Sequence, residues 1–216
     1  MKILNAEQIR AWDQYTIEHE PIASIDLMER AASKCVEWLE VNGYSKKKFT
    51  VFCGVGNNGG DGLAIARKLF LNGYKVSVYI LALVHKGSAD FEINRKILHD
   101  FPGLDINYIQ NENNFPELKD VVIIDALFGA GLSRPLEGIT AKLVDHINKS
   151  SCEVISIDIP SGMYVDSSSK GNPIDRRCPR VAAFESAGRC QTGRPYPAPS
   201  CVQRLSIAYR SRRCRA

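Results

Sequence analysis

The stretch GVGNNGGDGL, residues 54–63, holds five glycines, two asparagines and one aspartate in ten positions. It leaves an apolar run, Phe49–Gly54, that reads as a strand, and it enters Leu63–Leu71, whose apolar spacing is helical. A glycine-rich segment in that place is either a surface turn or a backbone cradle for a ligand. The strand–loop–helix setting favours the cradle, because a helix N-terminus offers unpaired N–H groups and the positive end of a dipole to an anion. Gly54, Gly56 and Gly59 spell the dinucleotide pattern GxGxxG. The usual acid about 20 residues further on is missing, since the next strand ends VYILAL. An ordinary NAD dehydrogenase is therefore disfavoured. Asn57, Asn58 and Asp61 also bring side-chain polarity that a simple phosphate loop does not need.

Outward from this stretch the chain alternates strands and helices. Helical spacing covers 6–19 and 25–42 ahead of it. After it come a strand at 75–81, a helix at 88–99, a short strand at 106–109, a strand at 121–125, a helix at 139–149 and a strand at 153–158. Runs such as VVIID and EVISID suit strands buried on both faces. Alternating strands and helices predict an α/β fold with a mainly parallel sheet and right-handed crossovers. In such sheets ligands sit at the carboxyl ends of the strands.

Two more strands finish in a loop of the same kind. VVIIDALFGAGLSRP places Asp125 at a strand end ahead of Gly129, Gly131, Arg134 and Pro135. VISIDIPSGM places Asp158 at a strand end ahead of Pro160, Ser161 and Gly162. One strand-end aspartate is often only a turn cap. Two of them, converging with Asn57, Asn58 and Asp61 on one sheet edge, point to a site. The oxygens of Asn58, Asp125 and Ser161 suit a hard cation. Cys53 and Cys152 read as core fillers and the four histidines as surface or helix-end residues.

The formal charge of +4 over 216 residues averages two unlike segments. Residues 1–175 carry 18 basic and 23 acidic side chains, a net −5. Residues 176–216 carry ten arginines, no lysine and one acid, Glu185, a net +9, together with four of the seven cysteines. Those cysteines match no zinc spacing. The switch from Lys to Arg, with Cys and Pro rising, reads as a shifted reading frame or a foreign extension, with a functional basic arm as the alternative. The expected division is a domain at 1–174 and an atypical, disordered or frameshifted tail at 175–216. No apolar run approaches a membrane span, no signal-peptide core follows Met1, and the expected location is cytoplasmic.

Taken in order, SIDLMERAA (24–32), GVGNNGGDGL, DALFGAGLSRP and SIDIPSG resemble the YjeF N-terminal domain family, the NAD(P)H-hydrate epimerases, over all of 1–174. The resemblance implies a Rossmann-like three-layer fold with N-terminal helices. It implies an isomerase for metabolite repair that interconverts the R and S epimers of NADHX and NADPHX, NADH or NADPH hydrated at carbon six of the nicotinamide. It further implies a potassium ion, a partner NAD(P)H-hydrate dehydratase, separate or fused, and a homodimer as a candidate assembly; neither a membrane nor nucleic acid is an expected partner. By the same resemblance Asn57, Asn58, Gly59, Gly60 and Asp61 contact the substrate. Gly129, Ala130, Gly131, Leu132, Ser133, Arg134 and Pro135 wrap it, and Asp158 touches it. Asn58, Asp125 and Ser161 ligate potassium. Asp125 is the first choice for general acid/base, and Asp158 the second. The tail departs from the family, so its C-terminal strands are expected to be missing. That leaves a truncated or non-catalytic nucleotide-cleft protein of the same fold as the alternative.

Overall fold

Strand β1 (Lys48–Cys53) is the strand from which the sheet grows in both directions. The computed structural model describes residues 6–20, 22–83, 86–164, 173–174, 179–184 and 205–206. Helices α1 (Ala6–His19) and α2 (Ser24–Val41) precede β1. From β1 the chain passes through α3 (Asn57–Leu71) to β2 (Lys75–Leu81), then through α4 (Ala89–Leu98) to β3 (Asp105–Ile109) at one edge. It then returns to β4 (Val122–Ala126) on the other side of β1 and runs through α5 (Gly138–Lys149) to β5 (Glu153–Ile157). The order is β3-β2-β1-β4-β5-β6-β7, and the pairs from β3 through β5 are all parallel. The winding reverses between β1 and β4, which opens a crevice beyond their carboxyl ends.

Burial on both faces explains the apolar runs. All five residues of β4 are buried, and so are five of the six in β1. Val51, Cys53, Val78 and Ile124 share a core with Ala32, Val36, Leu63 and Leu69 of α2 and α3. Phe52, Ile123 and Val154 pack on the opposite face with Leu143, Val144 and Ile147 of α5. Alternate strand residues thus serve two helical layers, and the three-layer α/β architecture expected from the sequence is the one observed.

Two boundaries differ from expectation. Helix α3 begins at Asn57, not Leu63, so the glycine-rich stretch is a tight turn at 54–56 followed by the first helical turns. Glycine weakens a helix, which is why the pattern reads as a loop. Here the glycines allow close approach instead. A Cβ on Gly54 would lie 2.0 Å from the Leu127 carbonyl oxygen, and one on Gly59 would lie 1.8 Å from that of Gly54. Both obstacles are backbone.

The second difference corrects the expectation that the sheet stops at β5 for want of C-terminal strands. Backbone at β6 (Pro179–Phe184) pairs in parallel with β5, and β7 (Leu205–Ser206) pairs antiparallel with β6. The outer edge of β5 presents N–H and C=O groups that need partners. Main-chain pairing satisfies them whatever the side-chain composition of the added segment. The rest of the 175–216 tail lies outside the described residues.

Gly54→Ala is expected to force the α3 turn away from β4. Overpacking of this kind costs about 1–3 kcal/mol, which should lower the thermal unfolding midpoint by several degrees. Gly131, with nothing within 4 Å of an added Cβ, should accept alanine with little change in that midpoint.

Candidate active site

Asp125 lies in β4 at its carboxyl end and is fully buried. Four donors surround its carboxylate. Oδ1 accepts from the Ser161 hydroxyl at 2.6 Å and the Leu127 N–H at 3.3 Å. Oδ2 accepts from the Ser161 N–H and the Ser156 hydroxyl, each at 2.9 Å. Burial pushes the carboxyl above its ordinary value, while the Ser161 side chain, the Ser161 N–H, Ser156 and Leu127 pull it back. Ser161 is buried too, and its hydroxyl accepts the Phe128 N–H at 2.9 Å, with the Phe128 carbonyl at 3.2 Å. Asp125 and Ser161, two of the expected cation ligands, are thus in direct hydrogen-bond contact. Both oxygens of Asp125 are buried and hydrogen-bonded in this arrangement.

Asp158 follows β5 and is only partly buried, with a left-handed backbone, φ 65°. That conformation is uncommon outside glycine and collects at functional sites. Its Oδ2 accepts the Ala130 N–H at 2.5 Å, which ties the β5 end to the β4–α5 loop. Gly129 is required there, since an added Cβ would lie 2.3 Å from Asp158 Oδ2 and 3.3 Å from Asn58 Cγ. Residues from the ends of three strands therefore meet at one point. Asn58 contributes a side chain whose amide nitrogen and oxygen are both buried without a hydrogen-bond partner among the described residues.

The other sequence-chosen residues surround this point. Gly56 caps α3 in extended conformation without a side-chain cap, so the first-turn amides face the crevice side of the helix end. Asn57 is exposed, Gly59 and Gly60 are buried, and Asp61 is intermediate. Burial first, then the charge of Asp61, pushes the thiols of Cys35 and Cys53 up, so both stay protonated core residues. In the β4–α5 loop Leu132 is half-buried, while Gly131, Ser133, Arg134 and Pro135 are exposed. Ser156 was not singled out from the sequence. A hydroxyl inside a strand buried on both faces needs a partner, and that was the available signal.

A separate open depression of about 400 Å³ lies at the amino ends of β1 and β2, lined in part by Lys48, Thr50, Tyr74, Lys75 and Ser77. It contains none of these residues, and the carboxylate chemistry sits at the opposite sheet edge.

Residues 24–180 match the family described as YjeF-related protein N-terminus. The chain is 38% identical over 164 residues to a protein of Oenococcus oeni named NAD(P)H-hydrate epimerase, covering 76% of each chain. It is 38% identical over 173 residues to one of Anaerococcus prevotii with the same name, covering 77% of this chain and 78% of the relative. The crystal structure of yeast YNL200c superposes with a TM-score of 0.65 at 24% identity, over 84% of this chain and 78% of that one, a likeness of fold.

Because burial raises the folded pKa of Asp125, its contribution to stability is present below the unfolded value, about 4. It is lost as pH rises through the raised folded value. Asp125→Asn removes this slope and turns an amide NH₂ toward either the Leu127 or the Ser161 N–H, a mismatch of about 1–3 kcal/mol. In potassium-free buffer, denaturant unfolding should show a less stable variant whose deficit narrows as pH rises through that range.

Proposed function

The chain belongs to the YjeF-related N-terminal family, and we propose that it acts as an NAD(P)H-hydrate epimerase through the crevice between β1 and β4. The observation that carries this reading is the meeting of Asn58, Gly129 and Asp158 in front of the buried Asp125–Ser161 pair. The relatives' shared name supplies the reaction.

The reacting carbon bears a hydroxyl beside the ring nitrogen. Protonation of that hydroxyl and loss of water break the C–O bond, and the nitrogen lone pair stabilises the resulting iminium. Water adding to the opposite face forms the new C–O bond and returns its proton. One carboxyl group can give the first proton and take back the second, and no oxidant is needed. We assign this work to Asp158, which stands partly exposed at the crevice wall in a left-handed conformation fixed through Ala130. The α3 first turn, Asn57–Asp61, and the loop Gly129–Pro135 hold the dinucleotide between them. Arg134 is exposed and has no ion pair among the described residues, so it is available to the pyrophosphate.

The residues present fit a potassium ion. Such an ion takes oxygen ligands, and the Asn58 amide oxygen is buried with no partner among the described residues, beside the β4–α5 loop whose Phe128 carbonyl meets the Ser161 hydroxyl. Asn58, Asp125 and Ser161 would hold it. Bound there it would supply fixed positive charge that offsets the Asp125 carboxylate. A hydrated-cofactor dehydratase is the reaction partner this activity calls for, and a homodimer is its proposed assembly. No described helix is long and apolar enough to cross a membrane.

Interconversion of the two NADHX epimers, followed chromatographically above the spontaneous rate, tests the assignment. Asp158→Asn should slow it by roughly 10²–10⁴-fold, the range of a general acid/base, without lowering the unfolding midpoint. Normal turnover by Asp158→Asn alongside a folded, inactive Asp125→Asn would exchange the two roles. Wild-type protein that adds nothing to the spontaneous rate would end the epimerase reading.

A further inference from the structure

The end of β2 carries a feature that the epimerisation chemistry does not use. In a Rossmann-like sheet the adenosine half of a dinucleotide lies over the β1-helix-β2 unit, and an acid after β2 takes the hydroxyls of the ribose. On the epimerase reading the reacting half lies on the other side of β1, against Asp158 after β5 and the loop after β4. The adenosine half then extends toward β2. Residues 81–89, LALVHKGSA, contain no carboxylate. They contain Lys86, which is exposed and has no ion pair among the described residues.

The segment that carries Lys86 is fastened to the substrate turn. The Ser88 N–H donates to the Val55 carbonyl at 2.9 Å. Gly87 lies so close that an added Cβ would stand 2.6 Å from the same oxygen. Lys86 is therefore one residue from a backbone contact with the glycine-rich turn. The nearest carboxylates downstream are engaged elsewhere. Asp90 accepts from the Ser24 hydroxyl at 2.6 Å, while Glu92 accepts the Gly87 N–H at 3.0 Å and pairs with Arg95 at 2.8 Å. A ribose lacking a phosphate finds no free carboxylate among the described residues here, and a phosphorylated one finds a free cation.

We infer that Lys86 is a specificity-determining residue that recognises the 2′-phosphate, so that the protein prefers hydrated NADPH to hydrated NADH. The inference rests on the epimerase reading for its substrate, and the charge contrast at β2 is independent of the chemistry. A hydrogen bond between charged groups is strong enough to shift affinity by roughly 10-fold or more.

Two measurements on the full chain separate the ideas. In the first, kcat/KM is compared for NADHX and NADPHX. Wild type should favour NADPHX by roughly 10-fold, Lys86→Ala should erase that preference through KM with NADHX turnover unchanged, and Lys86→Glu should reverse it. In the second, calorimetry compares 2′,5′-ADP with 5′-AMP, needs no turnover, and should show tighter binding of the bisphosphate that is lost in Lys86→Ala. Epimerisation with equal efficiency on both substrates, or equal binding of both nucleotides, overturns the inference and leaves the epimerase reading standing. Absence of epimerisation with a Lys86-dependent preference for 2′,5′-ADP overturns the epimerase reading and supports the phosphate site.

Discussion

The buried carboxylate of Asp125 is the constraint around which the strand ends are arranged. An ionised group with no exposure is strongly disfavoured unless donors replace its water. It receives four hydrogen bonds from three parts of the chain: Leu127 in its own loop, Ser156 in β5, and Ser161 through both hydroxyl and backbone. Meeting that requirement fixes β4 against β5 and holds the turn after β5 against the loop after β4. The positions of Phe128, Gly129 and Ala130 then follow. Asp158 can reach the Ala130 N–H only because Asp125 has already brought the two loops together.

The other half of the crevice is set by close packing. With no Cβ at Gly54, Gly59 or Gly62, the first turns of α3 press onto β1 and β4; a Cβ on Gly62 would lie 2.6 Å from that of Ala126. This approach carries Asn58 to Gly129. It also leaves the Asn58 amide buried and without a partner among the described residues, a situation worth about 1–3 kcal/mol of lost stability for each unmet group.

Much of this was legible in the sequence because it depends on residue type and order. The apolar runs at 49–54, 121–125 and 153–158 fixed the central strands, and strand-end placement put Asp125, Asp158 and Asn58 on one edge. The start of α3 was not legible. Local propensity reads five glycines as a loop, whereas the helix owes its beginning to backbone approach between segments distant in sequence. Ser156 went unnoticed because strand periodicity does not say which neighbouring strand supplies a buried partner. The strand at 179–184 was missed for a related reason: its pairing with β5 is made by backbone, and composition records only side chains.

The two aspartates show how one sheet edge separates structural from chemical work. Both follow apolar strand residues, and strand-end placement by itself does not separate them. Asp125 is enclosed by donors that hold the loop after β4 against the turn after β5. Asp158 sits one strand further out, where a left-handed backbone, costing of order 1–3 kcal/mol, turns the chain sharply at the end of β5. Strain of that size persists only where surrounding contacts over-determine it, and the Ala130 N–H and the missing side chain of Gly129 supply those contacts. On the proposed reading, the carboxyl group at the wall of the crevice exchanges a proton with the substrate while the sealed one keeps the wall in place.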